Sequence, residues 1–162
     1  MNAVENRYHE VLHMLHMENP AEESDSTTAT GAVVAVGRAF FALIFLMSGP
    51  NHFTRQTIDY AVSQGVPLAS VLVPLSGLIA LAGGLSILLG YHARLGGWLL
   101  VLFLVPVTFM MHAFWQVTDP GMAQMQMAMF MKNISMLGGA LFITQFGAGP
   151  FSMDARRARR SG

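Results

Sequence analysis

Four long apolar runs constrain what this chain can fold into more than any other feature. They occupy roughly Gly31 to Pro50, Pro67 to Gly90, Leu95 to Phe114 and Met127 to Phe146. A helix rises 1.5 Å per residue, so about 20 apolar residues match a hydrocarbon core about 30 Å thick. The runs are too long for core strands and lack the alternation of a membrane barrel. Backbone groups in lipid must also be satisfied within a helix or a closed barrel. The predicted fold class is therefore all-α, a bundle of four transmembrane helices. Composition agrees, since only 11% of the 162 residues are charged, against about 25% in a soluble domain. A soluble helical bundle is the alternative that these lengths disfavour.

Zero net charge, with nine basic residues gathered on no helical face, excludes nucleic acid as a partner and leaves the lipid bilayer. The absence of cysteine excludes a disulfide framework, a thiolate zinc site, covalent haem attachment and a thiol redox pair. Any redox role must then rest on a borrowed cofactor. An acidic, polar stretch precedes the first apolar run, unlike the basic start of a cleavable signal, so that run is expected to stay as an anchor.

Orientation follows from arginine. Arg156, Arg157, Arg159 and Arg160 lie just past the fourth run and Arg94 lies after the second, which assigns both regions to the cytoplasm. Both termini are then cytoplasmic, and the loops around Arg55 to Val66 and Gln116 to Gln126 face outward. The expected organisation is an amphipathic helix over residues 1–18, a polar linker over 19–30, the membrane domain over 31–154 and a basic tail over 155–162. Gly77, Ala80 and Gly84, with Gly138, Gly139 and Ala140, are expected to let neighbouring helices approach closely.

Within "HEVLHMLH", His9, Glu10 and His13 follow the H-E-x-x-H order of zinc proteases, and His16 offers a third imidazole. A protease also needs walls for its substrate and carboxylates that orient the imidazoles. Eight residues precede the motif and a polar linker follows it, so it has no scaffold. Val4, Tyr8, Val11, Leu12 and Leu15 supply the greasy side of a surface helix instead. Opportunistic zinc or copper binding stands between the two readings, and no metal site is assigned. Met125, Met127, Met129 and Met131 step about 200° apart around a helix, which argues for apolar packing over a copper site.

The polar groups tolerated near the spans are the better guide, because a charge at mid-bilayer costs about 2.5 to 3.5 kcal/mol even on the lenient scale. Arg38 is the deepest, about 10 Å along the first span from its inner end. Near the outer side, Asn51 and His52 end the first span, His112 and Trp115 end the third, and Lys132 with Asn133 opens the fourth. His52, His112, Lys132, Asn133 and Trp115 therefore form a candidate polar pocket for a quinone ring or a small anion. The competing reading is that Lys132 snorkels and Trp115 anchors the interface.

The order of several short motifs resembles the DoxX family of small four-helix membrane proteins. These are "GRAFFALIFLMSGPNHF", "PLSGLIALAGGLSILLG", "HAFW", "KNISMLGGAL" and "GAGPFSMD", which together cover residues 37–154. The resemblance implies an inner-membrane bundle, in a family named for a subunit of a thiosulfate:quinone oxidoreductase. Its polar motif residues fall on Arg38, His52, His112, Lys132, Asn133 and Asp154. One departure is Ala80, where that family often carries a glutamate able to neutralise Arg38. Arg38 must then reach backbone carbonyls, Ser86, Asp154, lipid phosphate or another subunit.

The leading expectation is the membrane part of a quinone-linked or stress-related redox assembly, working with a redox partner subunit or as a homo-oligomer. In that reading His112 and Lys132 are the catalytic pair, polarising or protonating a quinone oxygen. His52, Phe114, Trp115 and Asn133 hold the cofactor, while Arg38 and Asp154 are structural polar residues. The alternative is a non-catalytic membrane scaffold or a small-solute permeation protein.

Overall fold

A computed structural model describes Arg7 and residues 20–161. The expected amphipathic helix, with His9, Glu10, His13 and His16, lies outside the described residues apart from Arg7. The described chain is all helical, with no strand: α1 (Pro20–Ser48), a 3-10 turn (Gly49–Phe53), α2 (Arg55–Ser63), α3 (Ala69–Leu89), α4 (Ala93–Met111), a 3-10 turn (Phe114–Gln116), α5 (Pro120–Phe146) and α6 (Met153–Ser161).

Among the described residues, four stretches are long and apolar enough to cross a bilayer: Thr28–Phe53, Ala69–Leu89, Ala93–Gln116 and Pro120–Phe146. Their outward faces are greasy, with Phe40 73% and Phe146 78% exposed. Water would penalise such a surface and lipid does not, which decides against the soluble bundle. The core is thin, with Ala42, Ala80 and Ala140 filling in around Phe45, Ile87, Leu100, Phe103 and Leu104.

Two elements differ from expectation. Helix α1 starts at Pro20, so the polar stretch read as a linker is helical from there. Its single proline stands in the first turn, where no helical hydrogen bond is lost, and extending an existing helix costs little. The loop after the first span contains α2, whose N-cap Thr54 Oγ1 accepts from Thr57 N at 3.4 Å. Ala61 of α2 is buried beside Ala69 and Val73, with Met111 of α4 packed against them, so α2 lies across that end of the bundle.

Close helix contacts follow the small residues. A Cβ on Gly77 would sit 2.6 Å from His52 Cβ and 3.2 Å from Gly49 O, which brings α3 tight against the end of α1. Gly83 and Gly96 bring α3 and α4 together in the same way. The Phe41 ring of α1 lies over Gly139 of α5, whereas Gly138 meets nothing within 4 Å. Of the small residues expected to pack on the fourth span, Gly139 and Ala140 therefore do so and Gly138 does not.

The other end is held by the segment after α5. Arg38 donates from Nη1 to Ala148 O and from Nη2 to Phe151 O at 2.8 Å. Of the partners open to it in the sequence, backbone carbonyls take its hydrogen bonds and Asp154 lies close enough to act on its charge, while Ser86 Oγ instead donates to Tyr91 O at 2.6 Å. Asp154 accepts from His92 N at 2.8 Å and Ala93 N at 3.0 Å, capping α4 from a distant part of the chain. Replacing Arg38 by Met leaves two carbonyls unpaired and is expected to cost about 2 kcal/mol. Thermal unfolding in detergent checks this, and an unchanged midpoint would show that the latch contributes nothing.

Candidate functional site

The ends of α1, α3 and α4 and the middle of α5 enclose a cavity of about 550 Å³. That size is typical of small-molecule sites, which are mostly apolar with a few converging polar groups. Phe45, Val73, Ile79, Phe103, Val107 and Met136 supply apolar wall, while His52, His112, Lys132 and Asn133 all contribute polar lining. Four side chains from three spans thus meet at one site, as the levels of the spans predict.

Two prolines stand toward the cavity ends of their helices. Pro74 stands inside α3 and Pro106 inside α4. Each lies about one turn and a half from the helix end nearest the cavity, and each removes one helical hydrogen bond. Pro106 itself lines the cavity.

His52 Nδ1 lies 3.2 Å from Ser48 O, and its ring meets Phe103 edge-on with centroids 5.5 Å apart. A carbonyl only accepts, so Nδ1 carries the proton and Nε2 of the neutral ring is left as an acceptor. Asn133 is 4% exposed, and its amide has no hydrogen-bond partner among the described residues. Among the described residues the buried side-chain polar atom without a partner is Arg38 Nε, so the Asn133 amide is not sealed off and opens onto the cavity it lines. Lys132 Nζ touches only Met129 Sδ, a weak acceptor, at 3.5 Å.

His112 donates from Nδ1 to Gln126 Oε1 at 2.8 Å, and Gln126 Nε2 donates to the Tyr60 hydroxyl at 2.9 Å. This chain ties the end of α4 to α5 and to α2, so α2 covers the polar end of the cavity. Tyr60 and Gln126 escaped the sequence reading because both stand in regions read as outward loops. Gln126 is already in the second turn of α5, seven residues before Asn133 and so on the same helix face.

Phe114 and Trp115 do not line the cavity, contrary to their expected role as walls of the ring site. The 3-10 turn after α4 directs them into a separate aromatic cluster, where Phe114 and Trp115 lie 5.5 and 5.8 Å from the Phe130 ring. Trp115 is 54% exposed, as an interface anchor would be. Phe45, Tyr60 and Phe103 are the aromatic walls that the cavity does have. Arg38 and Asp154 belong to the opposite end.

The sequence profile of the SURF4 family matches residues 21–159, nearly the whole described chain. The chain belongs to the SURF4 family. Among curated proteins it is similar to inner membrane protein YqjF of Escherichia coli K12, at 30% identity over 124 residues, covering 75% of this chain and 88% of the relative. Inner membrane protein YphA of the same organism is 25% identical over 134 residues, covering 82% of this chain and 95% of the relative. No solved structure matches. With its four spans and these relatives, this SURF4-family chain is a multi-pass protein of the inner membrane.

Proposed function

We propose that this SURF4-family protein is the quinone-binding membrane component of a redox assembly, with the cavity as the seat of the ring. The observation that carries the reading is the meeting of His52, His112, Lys132 and Asn133 on one mostly apolar cavity. The motif likeness to the DoxX family supports the same class of ligand. A volume of about 550 Å³ fits a ring headgroup, and an apolar tail is at home in the surrounding lipid.

A bound quinone supplies reversible two-electron, two-proton chemistry, which this cysteine-free chain has no side chains to perform. Lys132 would donate a hydrogen bond to one ring oxygen, and the unpartnered Asn133 amide would orient another. His112, with Nδ1–H tied to Gln126, keeps Nε2 free to accept a proton from a ring hydroxyl and to return it. His52 Nε2 is a second acceptor. Phe45 and Phe103 flank the ring, and Trp115 with Phe114 holds the bundle at the membrane interface. The Arg94 end faces the cytoplasm, with both termini on that side, so the cavity lies toward the outer leaflet.

Mass spectrometry of extracts from protein purified in mild detergent tests the assignment. Wild-type protein is expected to retain quinone, and His112→Ala or Lys132→Ala to retain about ten-fold less, equivalent to about 1.4 kcal/mol, while eluting as intact folded protein. Undiminished retention in both variants removes their roles. Absence of any ring ligand, together with solute flux in proteoliposomes, supports the permeation alternative; absence of both supports the scaffold.

A further inference from the structure

The end of the bundle opposite the cavity carries a second concavity, a groove of about 580 Å³ between the start of α4, the end of α5 and α6. Its charges are unequal in what they are free to do. Asp154 spends both carboxylate oxygens on the amides of His92 and Ala93. The His92 ring receives Arg157 Nη1 at 3.2 Å, and the Arg157 guanidinium also stands 5.4 Å from the Tyr91 ring centroid. Arg94 is exposed and has no hydrogen bond or ion pair among the described residues. Its Nε lies 3.6 Å from where a Cβ of Gly147 would stand, so the groove floor beneath it is bare backbone. Arg156, Arg159 and Arg160 of α6, all exposed, add positive charge nearby.

What lies below this free cation is apolar. Leu95 and Phe146 line the groove. One turn deeper, Trp98 on α4 and Phe142 on α5 are also outward, at 53% and 68% exposure. A site with cationic groups at the bundle end and a greasy seam running from it into the hydrocarbon suits an anion that carries long apolar chains. A free phosphate would use the arginines but leave the seam unused.

We propose that this groove binds one anionic phospholipid, with Arg94 on its phosphate and its acyl chains along Leu95, Trp98, Phe142 and Phe146. The site is separate from the cavity and does not depend on what the cavity holds. A ligand that binds the folded state alone raises its unfolding midpoint.

The test uses the full chain in a neutral detergent, with thermal unfolding followed after adding phosphatidylglycerol, phosphatidylcholine or inorganic phosphate. Phosphatidylglycerol is expected to raise the midpoint by about 5 °C. The other two should raise it by less than half as much. Arg94→Gln should lose most of the phosphatidylglycerol shift and Arg94→Lys should keep most of it. Arg55→Gln, an exposed arginine at the far end, should retain it in full. Equal shifts with phosphatidylcholine or with phosphate alone would overturn the proposal, as would an undiminished shift in Arg94→Gln or an equal loss in Arg55→Gln.

Discussion

Asp154→Ala is expected to lower the unfolding midpoint by about 5–10 °C, the largest effect of any single polar substitution at the arginine-rich end. The carboxylate accepts from two successive amides at the start of α4, His92 N at 2.8 Å and Ala93 N at 3.0 Å. Helix termini leave their first amides without internal partners, and a side-chain cap typically contributes about 1 kcal/mol. Here the acceptor is charged and serves two donors, and Ala93 is fully buried. Water does not replace the lost partner freely, so the cost rises to about 2–4 kcal/mol. For a chain of this size each kcal/mol moves the midpoint by roughly 2–4 °C. Asp154→Asn keeps one acceptor oxygen and turns the other position into a donor facing an amide, so it should recover less than half of the loss. A midpoint within 1 °C of wild type in Asp154→Ala would mean that α4 finds another cap, about 0.5 kcal/mol or less being at stake.

Gly77→Ala is expected to be as damaging at the opposite end, with a consequence for the cavity. The added methyl would stand 2.6 Å from His52 Cβ. That is a contact to a short side chain fixed near its own backbone, and it cannot be relieved by rotating a flexible tip. Either the 3-10 turn moves off α3 or α3 moves away, and overpacking of this kind costs about 1–3 kcal/mol. Since His52 lines the cavity, quinone retention should fall along with stability. Gly138→Ala is the matched control, because a Cβ there meets nothing within 4 Å. Alanine favours a helix over glycine by roughly 1 kcal/mol, so this second variant should be neutral or slightly more stable. Equal destabilisation by the two changes would show that helix flexibility, not close approach, sets the requirement for glycine.

The spans were legible because a bilayer imposes length and apolarity directly on sequence, and the helices fall within a few residues of the apolar runs except at the starts of α1 and α5. Hydropathy registers what lipid requires and is blind to a helix continuing into water, so residues 19–30 read as a linker. The same blindness hid α2 and the first turns of α5, and with them Tyr60 and Gln126. The convergence of His52, His112, Lys132 and Asn133 was readable from depth, because alternating spans place the ends of the first and third near the beginning of the fourth. Depth does not fix azimuth, however. Trp115 is three residues from His112, yet a 3-10 turn separates them onto different surfaces. The partners of Asp154 were beyond reach for another reason: His92 lies 62 positions earlier in the chain, and backbone amides look alike in any sequence.

The two ties made by the segment after α5 also impose an order on biosynthesis. A ribosome releases the chain from its N-terminal end, and early segments begin to fold before later ones exist. Residues 148–154 emerge only after all four spans, yet they supply the acceptors for Arg38 and the cap for α4. Until they arrive, a guanidinium in the first span and the opening amides of the third are without these partners. A nascent chain stalled or cut before Ala148 thus differs from a finished one by unpartnered polar groups at a single end of the bundle.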